Sequence, residues 1–240
     1  MTALAAARMA RAAGAAIALV AITVGLELHA LTGLDTAVAE VFPRHRDPAF
    51  PWPAHAGFSL GQTWVFPAAS AVLAVVLARR RHSWRPLLAV AAVWLTHSAV
   101  TGAVKVWAAR QAPGSGQPDL HAVTAAWTDA MSYPSGHIAN IMVFTTVIGA
   151  LLTSLTGQPH WHTRLLAAGI ASSTICTASM IYLGYHWTTD AVAGFALGCL
   201  LRIGITPLLA TAFASLREPD NSRCRTRQGP GRRPWRIPLT

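Results

Sequence analysis

The sequence has few charged residues and many apolar ones. Asp, Glu, Lys and Arg together make up 12% of its 240 residues, whereas hydrophobic residues make up 53%, and the mean hydropathy is +0.40. Such a composition is typical of a membrane protein, and the length suits one compact domain. The scarcity of charge therefore argues against a soluble globular protein.

Cysteine and lysine are also scarce. The three cysteines are Cys176, Cys199 and Cys224, and none of them has the spacing of metal ligands. Because the first two lie in apolar stretches, we interpret them as packing residues and predict neither a disulfide nor a metal site. The single lysine, Lys105, lies in apolar surroundings near the end of a stretch.

Six apolar stretches are each about 20 residues long, the length that spans a bilayer as a helix. We therefore predict an all-α fold, a bundle of six transmembrane helices formed by residues 1–210. Residues 211–240 are predicted to form a basic, disordered cytoplasmic tail. The stretches run approximately over Ala12–Leu31, Phe58–Ala78, Leu87–Ala109, His137–Leu155, Leu165–Tyr185 and Trp187–Ala210.

The arginines predict the orientation of the bundle. A net charge of +10 is compatible with nucleic-acid binding, but most arginines lie in short segments beside the stretches, without aromatic stacking residues, so we expect no nucleic-acid partner. With the N-terminus inside, most of them are cytoplasmic, which is the positive-inside bias. We predict a protein of the cytoplasmic membrane with both termini in the cytoplasm. The first apolar run is longer than that of a signal peptide, so we expect it to be retained.

Three ionisable side chains then lie on the outer side of the membrane. Lys105 ends the third stretch, His137 begins the fourth and His186 begins the sixth. Ionisable groups at membrane depth are costly and mark functional sites by default. Asp190 lies one helical turn after His186, where it can bond and orient the ring. His97, Thr101 and Lys105 share one helix face, although a lone histidine such as His97 or His29 is more often a packed residue.

The motifs around these residues resemble those of the type 2 phosphatidic acid phosphatase superfamily, whose members include membrane lipid phosphatases related to vanadium haloperoxidases. Pro134-Ser135-Gly136-His137 matches one family motif in full. A second motif is similar to the segment from Ser179 to Asp190, including Tyr-Leu-Gly before His186. A third corresponds to Lys105 through Pro113. The resemblance covers about residues 87–200.

The resemblance implies a lipid phosphatase that works on the outer side of the membrane without a metal or other cofactor. His186 would be the nucleophile and form a phosphohistidine, Asp190 would orient it, and His137 would be the general acid and base. Lys105 and the backbone around Ser135 and Gly136 would bind the phosphate. The substrate would be phosphatidic acid, phosphatidylglycerol phosphate or an isoprenoid phosphate or diphosphate.

Two positions depart from the family motifs, because Ala112 and Met180 stand where members have phosphate-binding arginines. Some members have a further arginine at the position of Arg110, which we expect to substitute in part as a phosphate ligand. The missing arginines leave three alternatives open: a slow phosphatase, a lipid head-group phosphotransferase that handles a less charged phosphodiester, or a non-catalytic membrane protein on the same fold.

Overall fold

The computed structural model describes residues 3–44, 51–114, 118–122 and 131–214. These residues form eight α-helices and no strand, which confirms the predicted all-α class. The helices are α1 (Ala3–Glu27), α2 (Thr32–Arg44), α3 (Pro51–Ser59), α4 (Val65–Arg81), α5 (Arg85–Ala108), α6 (Gly136–Thr156), α7 (His160–Leu183) and α8 (Thr188–Ala214).

Among the described residues, five helices are long and apolar enough to cross a membrane, namely α1, α5, α6, α7 and α8. The one predicted span that is not among these five, Phe58–Ala78, contains most of α4, which has only 17 residues and ends in three arginines. Helix α8 continues to Ala214, four residues past the predicted end of the transmembrane domain. The rest of the predicted tail, residues 215–240, lies outside the described residues.

The second predicted stretch, Phe58–Ala78, is divided between α3 and α4 instead of forming one helix. The turn between them packs against α6 and α7, because a Cβ atom on Gly61 would lie 2.6 Å from Cβ of His137 and 2.7 Å from Sγ of Cys176. The Asn140 side chain holds the same turn by donating to the carbonyl oxygen of Gln62 (3.1 Å). These contacts across the bundle set the helix boundaries, and the local hydropathy does not reveal them.

Helix α6 is the centre of the bundle and is buried along nearly its whole length. Its apolar side chains pack with those of α4, α5 and α8 in the main core cluster. Helix α8 approaches α6 closely through Gly194 and Gly198. A Cβ atom on Gly198 would lie 2.8 Å from Cβ of Met142, and one on Gly194 would collide with the Ser135 carbonyl oxygen. Small residues at this spacing let two membrane helices pack backbone against backbone.

The polar residues of three helices lie at one end of the bundle. Helix α7 ends at Gly184, whose φ of 73° is left-handed and suits glycine. Only residues 184–187 separate α7 from α8. Helix α5 ends just after Lys105, and α6 begins at Gly136 beside it. Lys105, His137 and His186 therefore lie at the same end, as the alternating order of the stretches predicts.

Candidate active site

The beginnings of α6 and α8 are tied together by the backbone. The N–H group of Ser135 donates to the carbonyl oxygen of Asp190 (2.9 Å). The absence of a side chain on Gly194 gives the Ser135 segment the space to lie this close to α8. The Pro-Ser-Gly-His segment and the His-Asp segment, about 50 residues apart in the sequence, thus form one site.

His186 and Asp190 form the pair that their spacing predicts. Nδ1 of His186 lies 3.3 Å from Oδ2 of Asp190, and both side chains are buried. The same Oδ2 atom accepts the backbone N–H of Trp187 (3.1 Å). Asp190 therefore also caps the first turn of α8, as the acidic residue of a capping box does. Since Nδ1 of His186 is engaged, its Nε2 atom is the one available for chemistry.

His137 faces His186 across the site. The two ring centroids are 5.8 Å apart and the ring planes differ by 74°. The ring of Phe58, from α3, packs 4.7 Å from His137 and 5.0 Å from Tyr185. Phe58 cannot be recognised as part of the site from the sequence, because it stands in an apolar run like any other span residue. Helix α3 thus forms one wall of the site.

Lys105 reaches the first turn of α6. Its Nζ atom donates to the carbonyl oxygen of Met131, and a Cβ atom on Gly136 would lie 3.4 Å from Cε of Lys105. The first N–H groups of an α-helix have no acceptor within the helix and favour an anion. Ser135, the N-cap, makes no side-chain cap. The ammonium group and these N–H groups together form a candidate anion site beside His137.

Arg110 is buried among hydrogen-bond acceptors. Its Nε atom donates to the carbonyl oxygen of Pro118 (2.7 Å), and Nη1 donates to Oγ1 of Thr189 (2.7 Å) and Oδ1 of Asp190 (2.6 Å). Nη2 donates to Oδ2 of Asp35 (2.6 Å). These bonds occupy four of the five N–H donors of a guanidinium group. The geometry thus favours a structural pairing with two carboxylates over the predicted contact with phosphate.

Asp35, on α2, is a second residue of the site that the motifs in the sequence do not reveal. Its side chain is fully buried. Oδ1 accepts the backbone N–H of Thr189 (3.0 Å), while Oδ2 accepts Oγ1 of Thr189 and Nη2 of Arg110. Asp35 therefore caps the N-terminus of α8 from another helix. Only the rule that a buried arginine needs a carboxylate could have pointed to it, and that rule does not choose among the acidic residues.

The remaining polar residues singled out in the sequence have diverse surroundings. His97 and Thr101 are buried, and within the described residues His97 Nε2 and Thr101 Oγ1 have no hydrogen-bond partner. His29 is exposed and pairs with Asp119 (2.8 Å) rather than packing inside a span.

Met180 is fully buried, and the hydroxyl of Ser135 donates to its sulfur (3.7 Å). An apolar side chain thus lies beside the Pro-Ser-Gly-His segment at the position of a family arginine.

Tyr133 supports the same segment from the side of α1. Its hydroxyl lies 2.7 Å from Oγ1 of Thr23. Burial raises the pKa of the Tyr133 hydroxyl above its usual range, so the group stays neutral.

Within the residues that the structure describes, no cluster of three or more His, Cys, Asp or Glu side chains could hold a metal ion.

Comparison with known proteins gives consistent matches. The family described as the PAP2 superfamily matches residues 86–213, more than half of the chain. The chain is 39% identical over 67 residues to an undecaprenyl-diphosphatase of Sulfolobus acidocaldarius, which is 28% of each protein. It is 30% identical over 123 residues to phosphatidylglycerophosphatase B of Bacillus subtilis, covering 50% of this chain and 56% of that protein. The matches therefore span between a quarter and somewhat over half of these relatives.

A solved structure shares the fold. The crystal structure of a transmembrane PAP2 type phosphatidylglycerolphosphate phosphatase from Bacillus subtilis superposes with a TM-score of 0.69. The superposition covers 82% of this chain and 95% of that one, at 21% sequence identity. The helical bundle described above is therefore a known transmembrane architecture.

Proposed function

The chain belongs to the PAP2 superfamily and is an integral membrane protein, and from this premise we propose that it is a metal-independent lipid phosphatase. The substrate is a phosphomonoester or diphosphate of a membrane lipid, such as phosphatidic acid, phosphatidylglycerol phosphate or an isoprenoid phosphate. The names of its relatives, an undecaprenyl-diphosphatase and a phosphatidylglycerophosphatase, support this class. The observation that carries the proposal is the buried His186–Asp190 pair facing His137 beside Lys105.

In the proposed reaction, Nε2 of His186 attacks phosphorus while Nδ1 stays bonded to Asp190. The bond between phosphorus and the lipid oxygen breaks, and His137 gives its proton to that oxygen. This step leaves a phosphohistidine on His186. His137 then takes a proton from water, the water oxygen attacks phosphorus, and the phosphorus–nitrogen bond breaks to release phosphate. The edge-to-face placement of the two rings, 5.8 Å apart, supports these complementary roles.

The main demand of such a reaction is to neutralise the negative charge on the phosphoryl group that is transferred. In the proposed site, Lys105 and the backbone N–H groups in the first turn of α6, which begins at Gly136 after Ser135, neutralise this charge. We assign Arg110 and Asp35 a different role, because their mutual bonds hold Thr189 and Asp190 at the start of α8. They are positioning residues that act through Asp190 on His186, and this assignment replaces Arg110 as a phosphate ligand.

The test of the proposal is phosphate release by the purified protein in detergent across a panel of lipid phosphates. We expect release from at least one lipid phosphomonoester or diphosphate. We also expect an excess of EDTA to leave the rate unchanged, since the proposed charge neutralisation uses Lys105 and backbone N–H groups. Strong inhibition by EDTA, reversed by added metal, would contradict the proposed mechanism. Absence of release from every lipid in the panel would contradict the function.

The small number of cations at the site favours a second candidate function. Arg110 is paired with two carboxylates and Met180 replaces an arginine, so Lys105 is the one non-histidine cation placed beside the first turn of α6 among the described residues. A phosphodiester carries less charge than a phosphomonoester and requires fewer cations. The alternative is therefore a lipid head-group phosphotransferase, which would transfer label from a phosphodiester lipid to an acceptor alcohol without net phosphate release.

Restoring the two missing arginines should raise phosphatase activity. A new charge-assisted bond to phosphate contributes about 1.5–3 kcal/mol, or about one to two powers of ten in rate or affinity. The double variant Ala112→Arg/Met180→Arg is expected to increase kcat/KM for lipid phosphomonoesters by about that factor. Because Met180 is fully buried, thermal unfolding must be measured alongside, and Ala112→Gln/Met180→Gln is the matched polar control.

A folded double variant with no gain on phosphomonoesters would count against a weakened phosphatase. In that case the same protein should be assayed for head-group transfer. Transfer activity that falls in the double variant would support the phosphotransferase.

We propose that α4 completes a six-span bundle with both ends of residues 1–214 in the cytoplasm and the site outside. A cysteine introduced at Ser83, in the turn between α4 and α5, should not react with an impermeant thiol reagent on intact cells. Cysteines at Gly116 or Asp129, which lie outside the described residues, should react. The parent should lack the three native cysteines. Labelling at Ser83 alone would invert the orientation and place the chemistry in the cytoplasm.

A further inference from the structure

A basic groove lies between α1 and α8, at the end of the bundle opposite the candidate active site. Its volume is about 410 Å³. Arginines from two helices converge on it, two from the first turns of α1 and one from the middle of α8. The lining residues are Arg8, Arg11, Ala15, Cys199, Arg202, Ile203 and Thr206.

The backbone of α8 fixes one of these arginines in the groove. Pro207 lies inside α8 and has no N–H group, so the carbonyl oxygen of Ile203 lacks its helical donor. Nη2 of Arg8 donates to that oxygen (2.8 Å). The bond anchors the Arg8 guanidinium between the two helices, beside Arg202. The groove is therefore held by a specific contact between α1 and α8.

The three guanidinium groups have no carboxylate partner in the part of the chain that the structure describes. The ion pairs of Arg110, and those of the histidines at the other end of the bundle, account for Asp35, Asp119, Asp190 and Glu27. Clustered cations at a membrane surface attract anionic lipid headgroups. Because α1 is exposed along most of its length, a lipid can reach the groove laterally while its chains stay in the bilayer.

A second cavity adjoins the groove and has a mainly apolar lining. It has a volume of about 490 Å³, shares Arg202 and Thr206 with the groove, and extends to Leu209 and Phe213. Arg202 therefore lies where the basic groove meets the mainly apolar cavity. We propose that the groove is a binding site for the phosphate of an anionic phospholipid in the leaflet opposite the candidate active site.

The experiment is native mass spectrometry of the purified full-length protein in detergent with dioleoyl phosphatidylglycerol or dioleoyl phosphatidylcholine. The test variant is Arg11→Gln/Arg202→Gln, which keeps the bond from Arg8 to Ile203. The matched control is Arg164→Gln, because Arg164 stacks on Trp161 outside the groove. We expect the wild type to prefer phosphatidylglycerol, the double variant to lose about ten- to thirtyfold in affinity for it, and the control to bind like the wild type.

Equal binding of phosphatidylglycerol by the double variant and the wild type would overturn the proposal, as would equal affinity of the wild type for both lipids. Displacement of phosphatidylglycerol by millimolar inorganic phosphate would also overturn it, since the site would then be one for free phosphate. If the double variant does not fold, Arg202→Lys against Arg202→Gln gives the same test with one position. None of these measurements uses catalytic activity, so they are independent of the proposed phosphatase function.

Discussion

Replacing His186 with alanine is expected to abolish phosphate release, because the proposed reaction then has no nucleophile. By analogy with the loss of a nucleophile in other enzymes that form covalent intermediates, the rate should fall by about 10⁴-fold or more. His137→Ala should reduce the rate by about 10²–10⁴-fold, the range typical of general acid–base catalysis. Both rates are measured as phosphate release from the best lipid substrate in detergent.

The two variants also separate the proposed roles. In the His186→Ala protein no acid-labile phosphoryl group should appear on the chain when ³²P-labelled lipid is added. His162→Ala is the matched control, because His162 lines the cavity at the opposite end of the bundle. Wild-type turnover by a folded His186→Ala protein would show that His186 is not the nucleophile, whatever the substrate.

Replacing Asp35 with asparagine is expected to reduce both stability and turnover. The asparagine oxygen can still accept the N–H of Thr189, but one of the two carboxylates that pair with the buried Arg110 is lost. Removing one member of an isolated buried ion pair costs about 3–5 kcal/mol, and because Asp190 still pairs with Arg110 we expect a smaller loss of stability here. Turnover should fall about tenfold to hundredfold, as when the carboxylate behind a functional histidine is changed. The matched control is Asp119→Asn, because Asp119 pairs with His29 at the surface, where an ion pair contributes about 0–1 kcal/mol.

Kinetic constants distinguish a positioning role for this pair from phosphate binding. If Asp35 and Arg110 act through Asp190, then Asp35→Asn and Arg110→Lys should lower kcat while KM changes little. If Arg110 instead binds phosphate in the ground state, Arg110→Lys should raise KM at nearly constant kcat. A loss of stability with unchanged kcat and KM would leave the cluster with a structural role only.

Much of the fold follows from local properties of the chain. Apolar stretches of spanning length predict helices, because the N–H and C=O groups of a segment in a bilayer must form their hydrogen bonds within that segment. The approximate positions of α1, α5, α6, α7 and α8 are therefore evident from the sequence. The division of Phe58–Ala78 into α3 and α4 is not, because it depends on the space that Gly57 and Gly61 leave against α7 and α6.

Some features of the candidate site are likewise evident from the sequence, whereas others depend on the tertiary structure. The spacing of His186 and Asp190, and the order of Lys105, His137 and His186 along alternating helices, place these residues together from the sequence alone, since helical spacing and topology are enough. The partners of Arg110 are decided only by the tertiary structure. Asp35 and Asp190 lie 75 and 80 residues away from it, and Phe58 reaches His137 only because α3 folds over α7. A buried charge requires a partner of opposite sign, but only the packing of the helices determines which one it meets.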